Sequence, residues 1–252
     1  MLYVIGTGLH SYKDMSLRSI EICKEADKIY FENYTSIQQE PIDQLANYLD
    51  KKIIVCNRDA VESEDFFFDE AKDLNVCILV AGSPMFATTH IGLVIKGREK
   101  DVPVEIIHNA SILNIYGCLG LYSYHHGKTV SIPYFTPEWK PTSFYKNIIR
   151  NMENGLHTLC LLDIKVEEDR FMTANEALEQ ILESASITED KSLDKDYEVF
   201  VICRFGSPDQ IIKYGTIESL IKTEFGKPLH SLVVPGKMDK IEREMVEELF
   251  KQ

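Results

Sequence analysis

The sequence lacks any apolar run long enough to cross a membrane or to act as a secretion signal. A membrane-spanning helix needs about 18 or more apolar residues, and a signal peptide needs a basic start followed by about 7–15 apolar residues. The apolar run that begins at Leu2 stops at Gly6. We therefore expect a soluble, cytoplasmic protein that has no membrane partner.

Basic residues are also scarce. The chain has 27 Lys and Arg against 40 Asp and Glu, which gives a net charge of −13 over 252 residues. Proteins that bind a phosphate backbone without base-specific contacts, or an anionic membrane surface, need clustered Lys and Arg. The composition therefore argues against nucleic acid and leaves small molecules and proteins as the expected partners.

The usual signatures of metal sites and of nucleophilic or phosphate-binding enzymes are missing. The six cysteines form no C-x-x-C pair and no Cys/His cluster at zinc spacing, so we expect reduced core thiols and no metal. The adjacent His125 and His126 have no carboxylate at ligand spacing and indicate a surface turn. His157 and His230 each open an apolar strand and are expected to be satisfied edge histidines. Neither a G-x-S-x-G nucleophile turn nor a Walker A motif is present.

What is present is an alternation of short apolar strands with helical stretches over the first half of the chain. Such alternation predicts βαβ units and a parallel sheet, whereas the strands after about residue 197 follow one another and favour a mixed sheet. We expect an α/β protein with an N-terminal domain over 1–110 and a C-terminal domain over 111–252. Local patterns add a helix over 64–73 and a helix over 241–250 whose apolar face is formed by Ile241, Met245 and Leu249.

Three glycine-containing or small polar turns follow predicted strands. They are GTGLHS (6–11), AGSPMFATTH (81–90) and HNASI (108–112). Ligands bind open α/β sheets at the carboxyl ends of the strands, so the three turns together favour one ligand cleft. The alternative for the first turn is a tight strand-to-loop turn. For the other two it is a helix cap, with Thr88 or Thr89 capping one helix and Asn109 or Ser111 capping a helix that carries Gly117 and Gly120.

The first turn also resembles part of a dinucleotide fingerprint. Gly6 and Gly8 fit the glycine positions, and Glu32 ends the second predicted strand where a ribose-binding acid would lie. The third glycine position is Ser11, and the helix starts late, so a nicotinamide cofactor is only weakly supported.

At this point the motifs match a known family. The chain resembles the diphthine synthases, which are tetrapyrrole-methylase-like methyltransferases, over nearly its whole length. The resemblance is carried by six segments: LYVIGTGL (2–9), YFENYTS (30–36), GSPMFATTH (82–90), IHNASI (107–112), GLHTLCLLDIKV (155–166) and KPLHSL (227–232).

The resemblance implies a two-domain tetrapyrrole-methylase-like fold, with a parallel-sheet domain and a mixed-sheet domain. It implies that S-adenosyl-L-methionine binds in the cleft between them, that S-adenosyl-L-homocysteine is the product and that no metal is needed. It implies a homodimer that methylates the amino-carboxypropyl-histidine of elongation factor 2 in diphthamide biosynthesis. The family's cofactor contacts carry over to Leu9, Ser83, Phe86, Ser111, Ile112, Leu162, Phe205 and His230. No catalytic residue is assigned.

The region 139–166 is more similar to eukaryotic than to archaeal members, which favours four methylations ending in a methyl ester. The alternatives are a three-methyl diphthine synthase, a tetrapyrrole methylase of the same fold and a non-catalytic cofactor-binding paralogue. The chain departs from the family at Ser83, where an Asp is usual, and at His10 and Ser11, where Gly-Asp is usual. Loss of a carboxylate predicts weaker or differently posed cofactor binding.

Overall fold

A computed structural model describes residues 1–62 and 65–250 of the chain. The chain divides into two compact units, Met1–Ile112 and a second unit that begins at Leu113. The first unit contains a parallel sheet and the second contains a mixed sheet, so the predicted α/β fold class is confirmed.

The first unit is built on a five-stranded sheet in which every strand pairs in parallel. The strand order is β3-β2-β4-β1-β5. The strands are β1 (Leu2–Gly6), β2 (Lys28–Glu32), β3 (Ile53–Cys56), β4 (Val76–Val80) and β5 (Val104–Ile107). The helices are α1 (Leu17–Glu25), α2 (Ile42–Leu49), α3 (Arg58–Glu62), α4 (Phe66–Ala71) and α5 (Ile91–Glu99).

The central strand β4 shows why this sheet is covered on both faces. Its residues VCILV are all buried. Ile78 and Val80 belong to the hydrophobic core on one face, whereas Cys77 and Leu79 belong to the core on the other. Successive side chains of a strand point to opposite faces, so a continuous apolar run requires a cover on both sides.

The helix starts of the first unit differ from the predicted caps. Ser16 caps α1 by accepting a hydrogen bond from the backbone N–H of Ser19. The predicted caps at Thr88 and Thr89 are wrong, because α5 begins after His90 and has no side-chain cap. The Thr88 hydroxyl donates to the Pro84 carbonyl at 3.1 Å, and the Thr89 hydroxyl donates to Glu62 at 2.7 Å.

The region of the predicted helix over 64–73 is shorter and more divided than expected. The structure has α4 from Phe66 to Ala71 and, before it, the short helix α3, which sequence patterns missed. The predicted first residue, Glu64, lies outside the described residues.

The second unit is built on a five-stranded sheet with the order β11-β10-β12-β7-β6 and a small β8-β9 hairpin. Only β6 and β7 pair in parallel, and the other neighbours in the large sheet are antiparallel. The strands are β6 (Val130–Ile132), β7 (Thr158–Leu162), β8 (Ile164–Lys165), β9 (Arg170–Phe171), β10 (Glu198–Cys203), β11 (Ile211–Thr216) and β12 (His230–Val234). The helices are α6 (Ile115–Cys118), α7 (Ser143–Glu153), α8 (Ala174–Thr188), α9 (Ile217–Ile221) and α10 (Lys240–Phe250).

Two helices of this unit differ from expectation. The predicted helix that carries Gly117 and Gly120 is a 3₁₀ turn followed by the one-turn α6, and Gly120 lies beyond it with φ +75°. In α10, the apolar residues Ile241, Met245 and Leu249 are about half exposed, whereas Glu242 and Val246 are buried. Glu242 thus faces the interior of the unit, although the apolar pattern predicts that Ile241, Met245 and Leu249 do so.

Among residues 1–62 and 65–250, no helix combines the length and the apolar character that crossing a membrane requires.

Two glycines of α5 provide a matched test of how this helix packs on the sheet. A Cβ at Gly97 would lie 2.3 Å from Val104 Cγ2 and 2.9 Å from the Val102 carbonyl, whereas one at Gly92 would meet nothing within 4 Å. We expect Gly97→Ala to destabilise the protein by about 1–3 kcal/mol through overpacking. Gly92→Ala should stabilise it by up to about 1 kcal/mol through helix propensity. Thermal unfolding followed by circular dichroism checks both, and equal effects of the two substitutions would contradict the packing.

Candidate functional site

The three turns singled out in the sequence lie at one edge of the first sheet. They follow β1, β4 and β5, which are adjacent parallel strands. The register pairs Gly6 with Val80 and Ile5 with Ile107, so the three strands end at nearly the same level. This is the carboxyl edge, where open α/β sheets bind ligands.

The first two turns are joined to each other by their backbones. The Gly8 N–H donates to the Gly82 carbonyl at 3.3 Å, and the Gly82 N–H donates to the Gly8 carbonyl at 2.8 Å. Both glycines have positive φ, +86° and +72°, which disfavours any other residue. A Cβ at Gly6 would lie 2.5 Å from the Gly82 carbonyl oxygen. The glycines are therefore required by the close approach of the two turns.

Asn109 ties the third turn to the first. Its Nδ2 donates to the Gly6 and Asp14 carbonyls, each at 3.0 Å. The predicted cap at Asn109 is wrong, because its Oδ1 accepts a hydrogen bond from the adjacent Ala110 N–H and the amide holds the first turn.

Asp14 fixes the end of the first turn through hydrogen bonds to its backbone. Its carboxylate accepts hydrogen bonds from the backbone N–H groups of His10 at 2.7 Å and Ser11 at 3.1 Å. Ser11 caps the 3₁₀ helix that follows, with Asp14 completing a capping box. The His10 and Ser11 amides are thus already bonded to a carboxylate and are not free to bind a pyrophosphate.

The position of Glu32 also argues against a dinucleotide. Its carboxylate is buried and accepts hydrogen bonds from the N–H groups of Tyr34 and Thr35 and from the Thr35 hydroxyl. A ribose-binding acid must reach the ligand with free oxygens. Glu32 instead stabilises the backbone after β2, so the weakly supported nicotinamide hypothesis is wrong.

Five of the residues predicted to contact a cofactor lie in the three turns. Leu9 is in the first turn, Ser83 and Phe86 are in the second, and Ser111 and Ile112 are in the third; all five are partly exposed. The parallel sheet brings them together at its carboxyl edge.

The other three predicted residues share one edge of the second sheet. Leu162 ends β7, Phe205 follows β10, and His230 begins β12. Because β12 runs antiparallel to both neighbours and pairs His230 with Cys203, the ends of β7 and β10 and the start of β12 meet.

The ring of His230 is fully bonded within the protein. Its Nδ1 accepts a hydrogen bond from the Ala174 N–H at 3.2 Å, and its Nε2 donates to the Lys227 carbonyl at 2.9 Å. Burial lowers its pKa, which favours the neutral ring. A ligand contact by His230 would therefore use the ring carbons or the backbone.

Arg204 is a buried cation that sequence reasoning missed. Its guanidinium donates to the carbonyls of Phe225, Lys227 and Asp209 and pairs with the Asp209 carboxylate at 2.9 Å. It thereby joins the loop after β10, which contains Phe205, to the 225–227 segment that precedes β12. The signal was a single Arg at the end of the apolar strand β10.

A second missed cluster surrounds the buried Glu242 carboxylate of α10. Its Oε1 accepts hydrogen bonds from the Tyr122 N–H at 2.8 Å, His157 Nε2 at 3.1 Å and His125 Nδ1 at 3.2 Å. Its Oε2 accepts one from the Asp239 N–H at 3.0 Å. The sequence placed no carboxylate near His125, because Glu242 is distant along the chain.

The hydrogen bonds of this cluster do not suit a metal ion, although three potential ligands, His125, His157 and Glu242, lie close together. His157 Nδ1 accepts a hydrogen bond from the Gly236 N–H at 3.0 Å, so the proton of the neutral ring is on Nε2. A metal ligand needs a lone pair on that nitrogen. The cluster is therefore a hydrogen-bonded tie between α10 and the start of β7.

Burial and hydrogen bonding shift both ionisable groups of this tie. Burial alone would raise the pKa of Glu242, but the amides of Tyr122 and Asp239 and the His157 ring outweigh it, so the pKa is lowered. Burial lowers the pKa of His157, and the nearby Glu242 offsets this only in part.

The chain is similar to known methylases. Residues 1–221 match the model of the Tetrapyrrole (Corrin/Porphyrin) Methylases. The chain belongs to this methylase family.

Within this family, the chain is similar to proteins that are named for one particular reaction. The chain is 42% identical to a diphthine methyl ester synthase from Dictyostelium discoideum, over 98% of this chain and 97% of the relative. It is 37% identical to the one from Mus musculus, over 98% and 95%. A crystal structure from Entamoeba histolytica, provisionally described as a diphthine synthase, covers 100% of this chain and 99% of its own with a TM-score of 0.92 and 37% identity.

The histidine of the tie makes stability depend on pH. Because its pKa is lower in the folded state, the unfolded chain binds the proton first, and stability falls as pH drops below the ordinary value of 6.5. The lowered pKa of Glu242 acts in the same direction below 4.5. We expect His157→Gln to reduce the slope of unfolding free energy against pH, between pH 7 and the folded-state pKa, by up to about 1.4 kcal/mol per pH unit.

Denaturant unfolding at a series of pH values measures this slope. His126 and His230 also have pKa values lowered by burial and keep their part of the pH dependence in the variant. An unchanged slope in His157→Gln would contradict the assignment.

Proposed function

We propose that this chain is an S-adenosyl-L-methionine-dependent methyltransferase of elongation factor 2. Its acceptor is the amino-carboxypropyl-histidine of that factor, and its product is the methyl ester of diphthine after four methylations. The observation that carries this proposal is similarity over almost the full length to diphthine methyl ester synthases. We further propose a cytoplasmic homodimer.

The proposed cofactor contacts are the eight residues Leu9, Ser83, Phe86, Ser111, Ile112, Leu162, Phe205 and His230. The three turns of the first unit fit an adenosyl-amino acid ligand, because glycines leave the backbone at the sheet edge without side chains. The Ser83 hydroxyl and the partly exposed Phe86 add one polar and one apolar surface beside them.

The sulfonium cofactor, when bound, supplies an electrophilic methyl group with a good leaving group. The contribution of this chain is to hold donor and acceptor in line, which is worth several kcal/mol in oriented reactions. The acceptor amine must attack in its neutral form, although amines of this kind are mostly protonated at pH 7. We assign no general base, and the ester-forming step uses a carboxylate that is already ionised.

Among the alternatives, a tetrapyrrole methylase of the same fold is disfavoured because the near-full-length relatives are named diphthine methyl ester synthases. The three-methyl reaction differs from the proposal only in the ester, and the same experiment separates the two.

The test uses labelled S-adenosyl-L-methionine and elongation factor 2 purified from cells that lack this enzyme. We expect label on the factor and a mass increase of four methyl groups, one of them lost on mild alkaline hydrolysis of the ester. A factor already modified by the active enzyme is the control and should take up no label. No label on an acceptor whose amino-carboxypropyl group is verified by mass spectrometry would overturn the proposal, and an alkali-stable gain of three methyl groups would support the three-methyl alternative.

The departure at Ser83 gives a prediction about affinity. An Asp there restores the usual carboxylate of the family, which can accept a hydrogen bond from the ammonium group that the cofactor and S-adenosyl-L-homocysteine share, and charge-assisted hydrogen bonds are the stronger ones. We expect Ser83→Asp to tighten binding of S-adenosyl-L-homocysteine by about three- to tenfold in calorimetry, since one hydrogen bond contributes about 0.5–1.5 kcal/mol. Ser83→Asn, of the same shape without the charge, should bind like the wild type. Unchanged affinity in Ser83→Asp would show that the lost carboxylate does not weaken binding.

A further inference from the structure

Two buried ionisable side chains, Glu32 and His90, face each other behind the second turn. Glu32 is 1% exposed and ends β2, whereas His90 is 2% exposed and precedes α5. His90 Nε2 lies 3.7 Å from Glu32 Oε2. Among the described residues, this nitrogen has no hydrogen-bond partner.

The other ring nitrogen of His90 determines which proton the ring carries. His90 Nδ1 lies 2.9 Å from the Pro84 carbonyl oxygen. A carbonyl can only accept, so Nδ1 must carry a proton. In a neutral ring, Nε2 would then direct a lone pair at a carboxylate oxygen. A proton on Nε2 removes this repulsion and turns the contact into an ion pair.

The surroundings of Glu32 favour its ionised form. Both oxygens accept hydrogen bonds, from the N–H groups of Tyr34 and Thr35 at 2.6 Å and from the Thr35 hydroxyl at 2.5 Å. Hydrogen bonds to a carboxylate stabilise the charged form. A buried charge nevertheless requires a partner, and His90 is the group that faces it.

The pair is connected to the turn through Pro84. The Pro84 carbonyl accepts from His90 Nδ1 and also from the Thr88 hydroxyl at 3.1 Å. Pro84 Cδ lies in the space that a Cβ at Gly6 would need. Glu32, His90 and Pro84 thus link the end of β2 to the turn that carries Ser83 and Phe86.

We propose that Glu32 and His90 form a buried ion pair that holds the 82–90 turn in the conformation that contacts the cofactor. Both are positioning residues, since they act through the Pro84 carbonyl. The part that concerns the cofactor rests on the proposed function, whereas the ion pair and its hold on the turn do not.

Nuclear magnetic resonance of histidine labelled with ¹⁵N tests the ion pair without any ligand. If the pair is ionic, both ring nitrogens of His90 carry a proton in the folded wild type, because Nδ1 donates to the Pro84 carbonyl and Nε2 faces Glu32. In Glu32→Gln the side-chain amide can donate to Nε2, so the ring should become neutral with its proton on Nδ1. A neutral His90 ring in the wild type would overturn the ion pair.

Two substitutions at His90 separate the hold on the turn from general stability. Asn can donate from the Nδ1 position to the Pro84 carbonyl but leaves Glu32 without a cation. Gln can donate towards Glu32 from the Nε2 position but removes the His90 bond to Pro84, whose carbonyl keeps only the Thr88 hydroxyl as a donor. We therefore expect His90→Asn to lower the thermal midpoint more, and His90→Gln to loosen the turn more.

Hydrogen exchange of the 82–88 amides, measured without cofactor, reports on the turn. It should rise in His90→Gln and stay near wild type in His90→Asn. Binding of S-adenosyl-L-homocysteine should weaken about three- to tenfold in His90→Gln, the effect of losing one hydrogen bond. In the enzyme assay this appears as a higher KM for the cofactor at nearly unchanged kcat.

His126→Gln is the matched control, since this ring bonds the Tyr116 hydroxyl at 2.9 Å in the second unit. It should leave exchange of the 82–88 amides unchanged. If exchange and affinity follow the thermal midpoint in both His90 variants, the role is structural only and the positioning proposal is rejected. A wild type that binds no cofactor product contradicts the proposed function, whereas the ion pair and the exchange pattern are still decided by the ligand-free measurements.

Discussion

The candidate site depends on the reciprocal backbone hydrogen bonds between Gly8 and Gly82, which join the turns after two adjacent strands of the first sheet. They form only because both residues adopt positive φ and because Gly6 leaves room for the second turn. Asn109 adds the third turn by donating to the Gly6 carbonyl. Three loops that could move independently are thereby combined into one backbone surface at the carboxyl edge.

In each unit, a buried carboxylate accepts hydrogen bonds from several groups and so fixes the backbone and side chains around it. Glu32 bonds the backbone that follows its own strand and faces His90, whereas Glu242 gathers Tyr122, His157 and His125 around the base of α10. Each carboxylate has its oxygens occupied by donors within its unit, which offsets the cost of burying the charge. Neither is placed to act as a ligand-binding acid, so the glycine turns and their flanking residues remain the candidate contacts.

Much of the fold could be predicted from local pattern. The predicted alternation of short apolar strands with helices in the first half agrees with the structure, because runs such as VCILV are buried on both faces whatever their neighbours are. Predictions that relied on a single polar residue fared worse. Thr88 or Thr89 is a predicted cap of one helix and Asn109 or Ser111 of another, but the side chains of Thr88, Thr89 and Asn109 bond Pro84, Glu62 and Gly6 instead. A hydroxyl or amide bonds whichever group the tertiary structure brings closest, and that group is not visible from a neighbouring residue.

The sequence by itself determined three features of this protein. Small-residue turns follow three apolar strands, the composition is acidic without basic clusters, and the motifs identify a methylase family. Only the tertiary structure decided which ionisable groups meet. Glu242 meets His157 across 85 positions, and Glu32 meets His90 from a neighbouring strand. These pairings arise because packing the helices against the sheets brings distant segments within hydrogen-bond reach. Burial then requires every charge to find a partner there.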